Sequence, residues 1–256
     1  NTLAYSNLTV GSAAAGATHT LEAGTTSVSG ALIVRSPTSG SNVFDITSRT
    51  LTLSGSGTPL TVNSNASVTT TGSIINYTGT TATNLATITY NNLGVGTSAD
   101  SSAVTYTAGD AGLVVAGVLT IGHASSTNSD TFRDIYGVTF SGASTPIDRT
   151  ANGIFEGGAT YTSGTGVVAL SNAAMTGANA YQNLAINGAG TFTTSFDIES
   201  TYGISLIAGT LAGTNNITTV SLSGTAGLIN MTGGTVWIKT DTNEGNQFGP
   251  SAASSA

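Results

Sequence analysis

The sequence predicts an all-β chain wound as a parallel β-solenoid. Three observations point there. Short runs rich in Val, Ile, Leu and Thr recur along the chain, each bounded by Gly, Ser, Asn or Asp. No sustained apolar pattern at i, i+3, i+4, i+7 occurs, and strong helix formers are rare. The chain also repeats itself, with a short step inside a longer one.

The strands are read from Leu8-Thr9-Val10, Ala31-Leu32-Ile33-Val34, Leu51-Thr52-Leu53, Ile74-Ile75-Asn76-Tyr77, Val118-Leu119-Thr120-Ile121 and Val236-Trp237-Ile238. The longer repeat is carried by Tyr5-Ser6-Asn7-Leu8, Tyr90-Asn91-Asn92-Leu93 and Tyr181-Gln182-Asn183-Leu184, spaced by 85 and 91 residues. A second motif keeps step with it: Leu53 to Leu60 matches Phe140 to Ile147 at an offset of 87, with a weaker copy at Leu222-Ser223-Gly224. A third pairs Ile75-Asn76-Tyr77-Thr78-Gly79 with Ala159-Thr160-Tyr161-Thr162-Ser163. The chain thus divides into unit 1 (1–89), unit 2 (90–180), a shortened unit 3 (181–240) and a polar tail (241–256), the units forming one continuous solenoid.

Within a unit, Leu8, Leu32, Leu51, Ile74 and Leu93 follow one another in steps of 24, 19, 23 and 19 residues. A step of 20 to 30 residues suits one solenoid turn. Twelve turns of about 4.8 Å each make a rod roughly 58 Å long. Leu8, Leu32, Leu51, Leu93, Val118 and Leu184 are the expected core. The alternative is a string of immunoglobulin-like sandwiches, one per unit of about 100 residues. The short step, the four prolines and the lack of an aromatic cluster in each unit favour the solenoid.

Composition narrows function. Only 7% of residues are charged, against about 25% in an ordinary domain. The five cations, Arg35, Arg49, Arg133, Arg149 and Lys239, are scattered, so no basic stripe exists to neutralise phosphates or to dock on an anionic membrane. No apolar run is long enough for a membrane span. The absence of cysteine excludes disulfides and thiolate chemistry. The chain begins at Asn1 without Met or an apolar leader, as expected of a mature exported protein or of a fragment.

Chemistry-bearing clusters are sparse. Asp130, Arg133 and Asp134, with Asp148, Arg149 and Glu156, are the candidates for a polysaccharide-cleaving site, and read as a solvated turn with local ion pairs. His19 and His123 have no Cys, Asp or Glu at a metal-ligand spacing. Asn128-Ser129-Asp130 with Asp134, and Asp241, Asn243 and Glu244, offer oxygen ligands for calcium, without the glycine-rich calcium repeat. Sequons stand at Asn7, Asn65, Asn76, Asn216 and Asn230 as glycosylation candidates. Thr50-Leu51-Thr52, Thr69-Thr70-Thr71, Thr87-Ile88-Thr89 and Thr105-Tyr106-Thr107 are spaced as an ice-binding ladder would be, but alternation in a strand accounts for them.

The stretches Ile75-Asn76-Tyr77-Thr78-Gly79-Thr80, Tyr90-Asn91-Asn92-Leu93-Gly94-Val95-Gly96 and Gly117-Val118-Leu119-Thr120-Ile121-Gly122 resemble the adhesin and haemagglutinin-like β-solenoid repeats of large secreted bacterial surface proteins. That resemblance implies an extracellular or cell-surface location, a fibrous or adhesive role and no catalysis. It supplies no functional residues. The expectation is therefore a structural subunit of an extracellular fibre, sheath or surface layer, needing no cofactor or metal and partnered by copies of itself head to tail. Leu3, Tyr5, Leu8 and Val10 at one end and Val236, Trp237 and Ile238 at the other are the expected contact residues. Trp237 serves there as an anchor or else fills the core of the last turn. The alternative is a carbohydrate- or host-binding adhesin module that recognises surface glycans. A polysaccharide-degrading enzyme and an ice-binding protein are the lesser readings. Nucleic acid and membrane insertion are excluded as partners.

Overall fold

The computed structural model describes residues 1–99, 102–109, 112–142, 147–150, 152–162, 167–169 and 174–239. Every pairing between strands in it is parallel, and no α-helix occurs among these residues. The chain is a β-solenoid of about nine turns.

In the first turns the coil has three sides. One side is a seven-stranded sheet built in chain order from Thr2–Tyr5, Thr25–Val28, Thr50–Leu53, Ile74–Tyr77, Asn92–Val95, Leu119–Ile121 and Ile147–Arg149. The other two sides are three-stranded: Leu8–Val10, Leu32–Val34 and Leu60–Val62, then Thr18–Thr20, Asn42–Asp45 and Ala66–Thr69. From Thr83–Asn84 onward, two sides merge into one 13-stranded sheet. Its long strands Thr131–Phe140, Ile154–Tyr161, Tyr181–Thr194 and Ile198–Gly213 bend round corners.

Nine turns stand where twelve are expected, and the reason lies in the register. Leu8 pairs with Leu32 and Leu32 with Leu60 on one side, while Leu51 pairs with Ile75, Ile75 with Leu93 and Leu93 with Leu119 on another. The series from Leu8 to Leu93 therefore mixes two sides of the coil, which shortens the apparent step. The true step is 23 to 28 residues in most early turns, 18 between Ile74 and Asn92, and 18 to 21 in the last turns. The stack is roughly 43 Å long, not 58.

The core is one continuous cluster from Val10 to Ile217, not three separate ones as sandwiches require. Leu32, Leu51, Leu93 and Leu184 are buried in it. Leu8 is only half-buried, because it sits in the first turn. Val118 is also half-buried, and its neighbour Leu119 is the core residue. With a side-chain period of two, a one-residue shift exchanges inside and outside. The interior is not poor in aromatics either. Phe132 stacks on its register partner Phe155 at 5.7 Å, and Phe140 on Tyr161 at 5.1 Å. Rungs about 4.8 Å apart bring in-register rings into stacking contact.

The repeats have a structural meaning. Tyr-x-Asn-Leu is a corner. The Tyr5 and Ser6 carbonyls accept the Ser29 and Gly30 N–H groups, Asn7 Oδ1 accepts the Ala31 N–H at 2.8 Å, and Leu8 pairs with Leu32. Tyr90 and Asn91 do the same for Ala116 and Gly117, Asn92 Oδ1 accepts the Val118 N–H at 3.0 Å, and Leu93 pairs with Leu119. The next turn must carry glycine here. A Cβ on Gly30 would lie 2.3 Å from Asn7 Oδ1, and one on Gly55, a further turn up, 2.3 Å from the Gly30 carbonyl. The first and third motifs also meet inside the coil. Tyr77 and Tyr90 share a buried hydroxyl–hydroxyl hydrogen bond of 2.9 Å, and Tyr161 and Tyr181 one of 2.8 Å.

Candidate functional site: a tyrosine-flanked groove at one corner

The residues singled out as acid–base candidates do not gather in one cleft. Asp130 and Asp134 are buried, not solvated in a turn. Asp134 lies in the strand Thr131–Phe140, where alternation sends Phe132 and Asp134 inward and Arg133 outward. Asp130 Oδ1 accepts the Val104 N–H at 3.2 Å. Arg133 forms an exposed ion pair with its register partner Glu156, which holds the guanidinium above its ordinary pKa. Arg149 is half-buried and donates to the Gly153 and Ala174 carbonyls, and desolvation pulls its pKa down. His123 Nδ1 accepts the Ser125 N–H, and His19 lies half-buried in Thr18–Thr20. No group of three or more His, Asp or Glu side chains could hold a metal among the described residues. Asp241, Asn243 and Glu244 lie outside them.

The spaced Thr pairs fall on three sheets, the last two on strands of the 13-stranded sheet that do not pair with each other, and form no ladder. Of the sequons, Asn65 and Asn230 are exposed and Asn76 is half-buried. The Asn7 side chain is engaged at its corner, and Asn216 bonds to Asp197 and to the Thr235 N–H. The residues expected at the ends do lie in the first and last turns. Leu3 and Tyr5 are each 36% exposed, but Val10 is in the core. Val236 and Ile238 are half-buried, and Trp237 points outward at 60% exposure, so it does not fill the core.

A concave feature lies elsewhere. It is a groove of about 240 Å³ on the late turns. Its cause is a difference in corner length. Between the paired positions Asp134/Gly157 and Val138/Ala159, one strand carries Ile135-Tyr136-Gly137 and the next carries Gly158 alone. The following turns carry Gln182-Asn183, then Thr201-Tyr202-Gly203. Two tall corners thus flank a bare glycine and a short corner. Tyr136 and Tyr202 stand on the tall ones, 58% and 65% exposed. They are three rungs apart, roughly 14 Å along the stack.

Both tall corners are braced from inside. Asp134 Oδ1 accepts the Tyr136 and Gly137 N–H groups at 3.0 and 2.9 Å, and its Oδ2 accepts the Leu113 N–H at 3.1 Å. The buried Ser200 hydroxyl accepts the Gly203 N–H at 3.3 Å and donates to the Gly203 carbonyl at 2.6 Å. The low corner needs its glycines. Gly157 has φ +147°, and a Cβ on it would lie 2.1 Å from the Asp134 carbonyl. The floor continues over the outward face of the sheet, where Thr160, Ala185, Ser205 and Ser223 follow one another up the stack. Among the described residues no charged side chain lines the groove.

Comparison with family models, with curated proteins and with solved structures finds no match for this chain. The groove must therefore be read from its own chemistry. It offers two exposed aromatic faces on braced corners, the amides of Gln182 and Asn183, and several hydroxyls. A signal for it exists in the sequence: Asp134-Ile135-Tyr136-Gly137 and Ser200-Thr201-Tyr202-Gly203 share one pattern, a side-chain oxygen followed by Tyr-Gly. The repeat of 85 to 91 residues conceals it, because the two copies stand only 66 apart.

Proposed function

We propose that this chain is a rigid segment of an extracellular fibre or surface layer, in which copies join end to end. The observation that carries this reading is the all-parallel stack of rungs around one continuous core from Val10 to Ile217. Among the described residues Thr2–Tyr5 pairs with Thr25–Val28 and Val236–Ile238 with Ile217–Thr219, so these strands form the first and last described rungs. An open parallel edge carries N–H and C=O groups that another strand can satisfy. Contact between the first rung of one copy and the last rung of the next is heterologous and propagates as a filament. Leu3, Tyr5 and Trp237 supply exposed apolar surface at those rungs. The continuous core supports a load-carrying rod, and the resemblance to surface-protein repeats supports the location.

Sedimentation velocity across a wide concentration range, with negative-stain microscopy of the same samples, tests this. Concentration-dependent growth into filaments is expected, and Tyr5→Lys together with Leu3→Lys should suppress it. A monomer that persists at high concentration overturns end-to-end assembly and leaves a lone binding module as the better reading.

A further inference from the structure

We propose that the groove between Tyr136 and Tyr202 binds a neutral oligosaccharide lying along the stack. This goes beyond the fibre reading and does not depend on it. Five large aromatics are exposed among the described residues, Tyr5, Tyr136, Phe196, Tyr202 and Trp237, and two of them stand at equivalent braced corners on either side of one depression. A tyrosine, with only two side-chain torsions, offers a large contact face at low entropic cost and a hydroxyl for hydrogen bonding. Sugar rings present the complementary surface: an apolar C–H face with hydroxyls at the rim. Amide groups at Gln182 and Asn183 and the hydroxyls of Thr160, Ser205 and Ser221 provide donors and acceptors between the two rings.

The choice of a neutral glycan follows from charge. Among the described residues no Arg or Lys lines the groove to hold a carboxylate or sulfate, and no Asp or Glu to hold an amine. A peptide adding as a strand is disfavoured, since the strands at the floor are paired on both sides and no edge is free there. The separation of roughly 14 Å between the tyrosines calls for an extended oligosaccharide, since a single ring cannot reach both. The low corner at Gly158 carries no side chain between the two tyrosine corners, where the middle of such a chain would lie.

The full chain is applied to an array of neutral oligosaccharides (β-glucan, mannan, galactan and chitin fragments) with sialylated and sulfated counterparts. The tightest neutral ligand then goes to calorimetry. Binding of neutral members is expected, and Tyr136→Ala and Tyr202→Ala should each weaken it about tenfold or more. Both variants should keep the parent circular dichroism and urea midpoint, since both rings are exposed. Tyr136→Phe should retain binding, and Trp237→Ala, an exposed aromatic elsewhere, should leave it unchanged. The proposal is overturned if no neutral glycan binds or if charged glycans are preferred. It is equally overturned if Trp237→Ala weakens binding as much as the groove variants do, or if the groove variants abolish self-association and leave glycan binding intact.

Discussion

Raising the pH should unfold this protein through its interior tyrosines. Tyr77, Tyr90, Tyr161 and Tyr181 are wholly buried, and desolvation makes their ionised forms costly. Burial pushes Tyr77 up to about 12 from 10.0, against the opposing pull of its bond to Tyr90, and raises the other three in the same direction. A folded pKa above the unfolded value means that the native state holds its proton more tightly. The associated stability is present in full below pH about 10 and is lost as pH rises toward 12. For Tyr77 the shift corresponds to roughly 2 to 3 kcal/mol at about 1.4 kcal/mol per pH unit. Each hydroxyl pair titrates as a unit, so the two pairs act as two coupled groups. Native stability is typically about 5 to 15 kcal/mol, so a loss of this size from each pair brings the protein near unfolding.

The assay is urea denaturation at a series of pH values from 8 to about 12, with tyrosinate absorbance followed on the same samples. The midpoint should hold steady to about pH 10 and then fall steeply. Absorbance from the buried rings should appear only together with unfolding. Tyr77→Phe should lower the unfolding free energy at neutral pH by about 1 to 3 kcal/mol, because it removes one partner of a buried hydrogen bond. It should also flatten the alkaline fall. A midpoint that does not change between pH 9 and 12, or ionisation of the buried rings while the circular dichroism stays native, would refute the reasoning.

Three further outcomes follow from the packing. Phe155→Ala removes a ring in contact with both Phe132 and Tyr181, and should cost about 3 to 5 kcal/mol in chemical denaturation. Asp134→Ala strands the Leu113, Tyr136 and Gly137 N–H groups at a buried site, and should cost about 3 kcal/mol or more while loosening the Tyr136 corner, read by proteolysis or hydrogen exchange of residues 134–138. Arg133→Ala breaks only an exposed ion pair, so its effect on the urea midpoint should stay below about 1 kcal/mol and shrink with added salt.

The fold class was legible because a solenoid repeats its demands. Each turn needs an inward apolar residue above the last, and Leu51, Ile75, Leu93 and Leu119 write that directly into the chain. The number of turns was not legible. The sides of the coil use the same residue types, and nothing local distinguishes Leu32 on one side from Leu51 on the next. The aromatic core was hidden for a related reason. Phe132, Phe155, Tyr161 and Tyr181 are far apart in sequence, and they become a cluster only when the register places them on adjacent rungs. The buried carboxylates show the same limit. Asp134 sits among polar residues that suggest a turn, yet strand alternation turns it inward, where backbone N–H groups compensate its burial.

The groove is least legible because it arises from a difference between turns. A perfect repeat would give every corner the same height and a smooth rod. The Tyr-x-Asn-Leu corner illustrates this. In its first two copies the Asn side chain reaches the next rung and locks the stack. In the third copy Asn183 is exposed and lines the groove beside Gln182. The same motif thus serves cohesion twice and a surface once. Its neighbours decide which: the single Gly158 below and the three-residue corner bearing Tyr202 above. In a solenoid the repeat specifies the rod, and departures from the repeat are where a ligand-sized concavity can form. Tyr136, Gly158, Asn183 and Tyr202 are four such departures on consecutive rungs, and that coincidence singles out this corner as the surface to test.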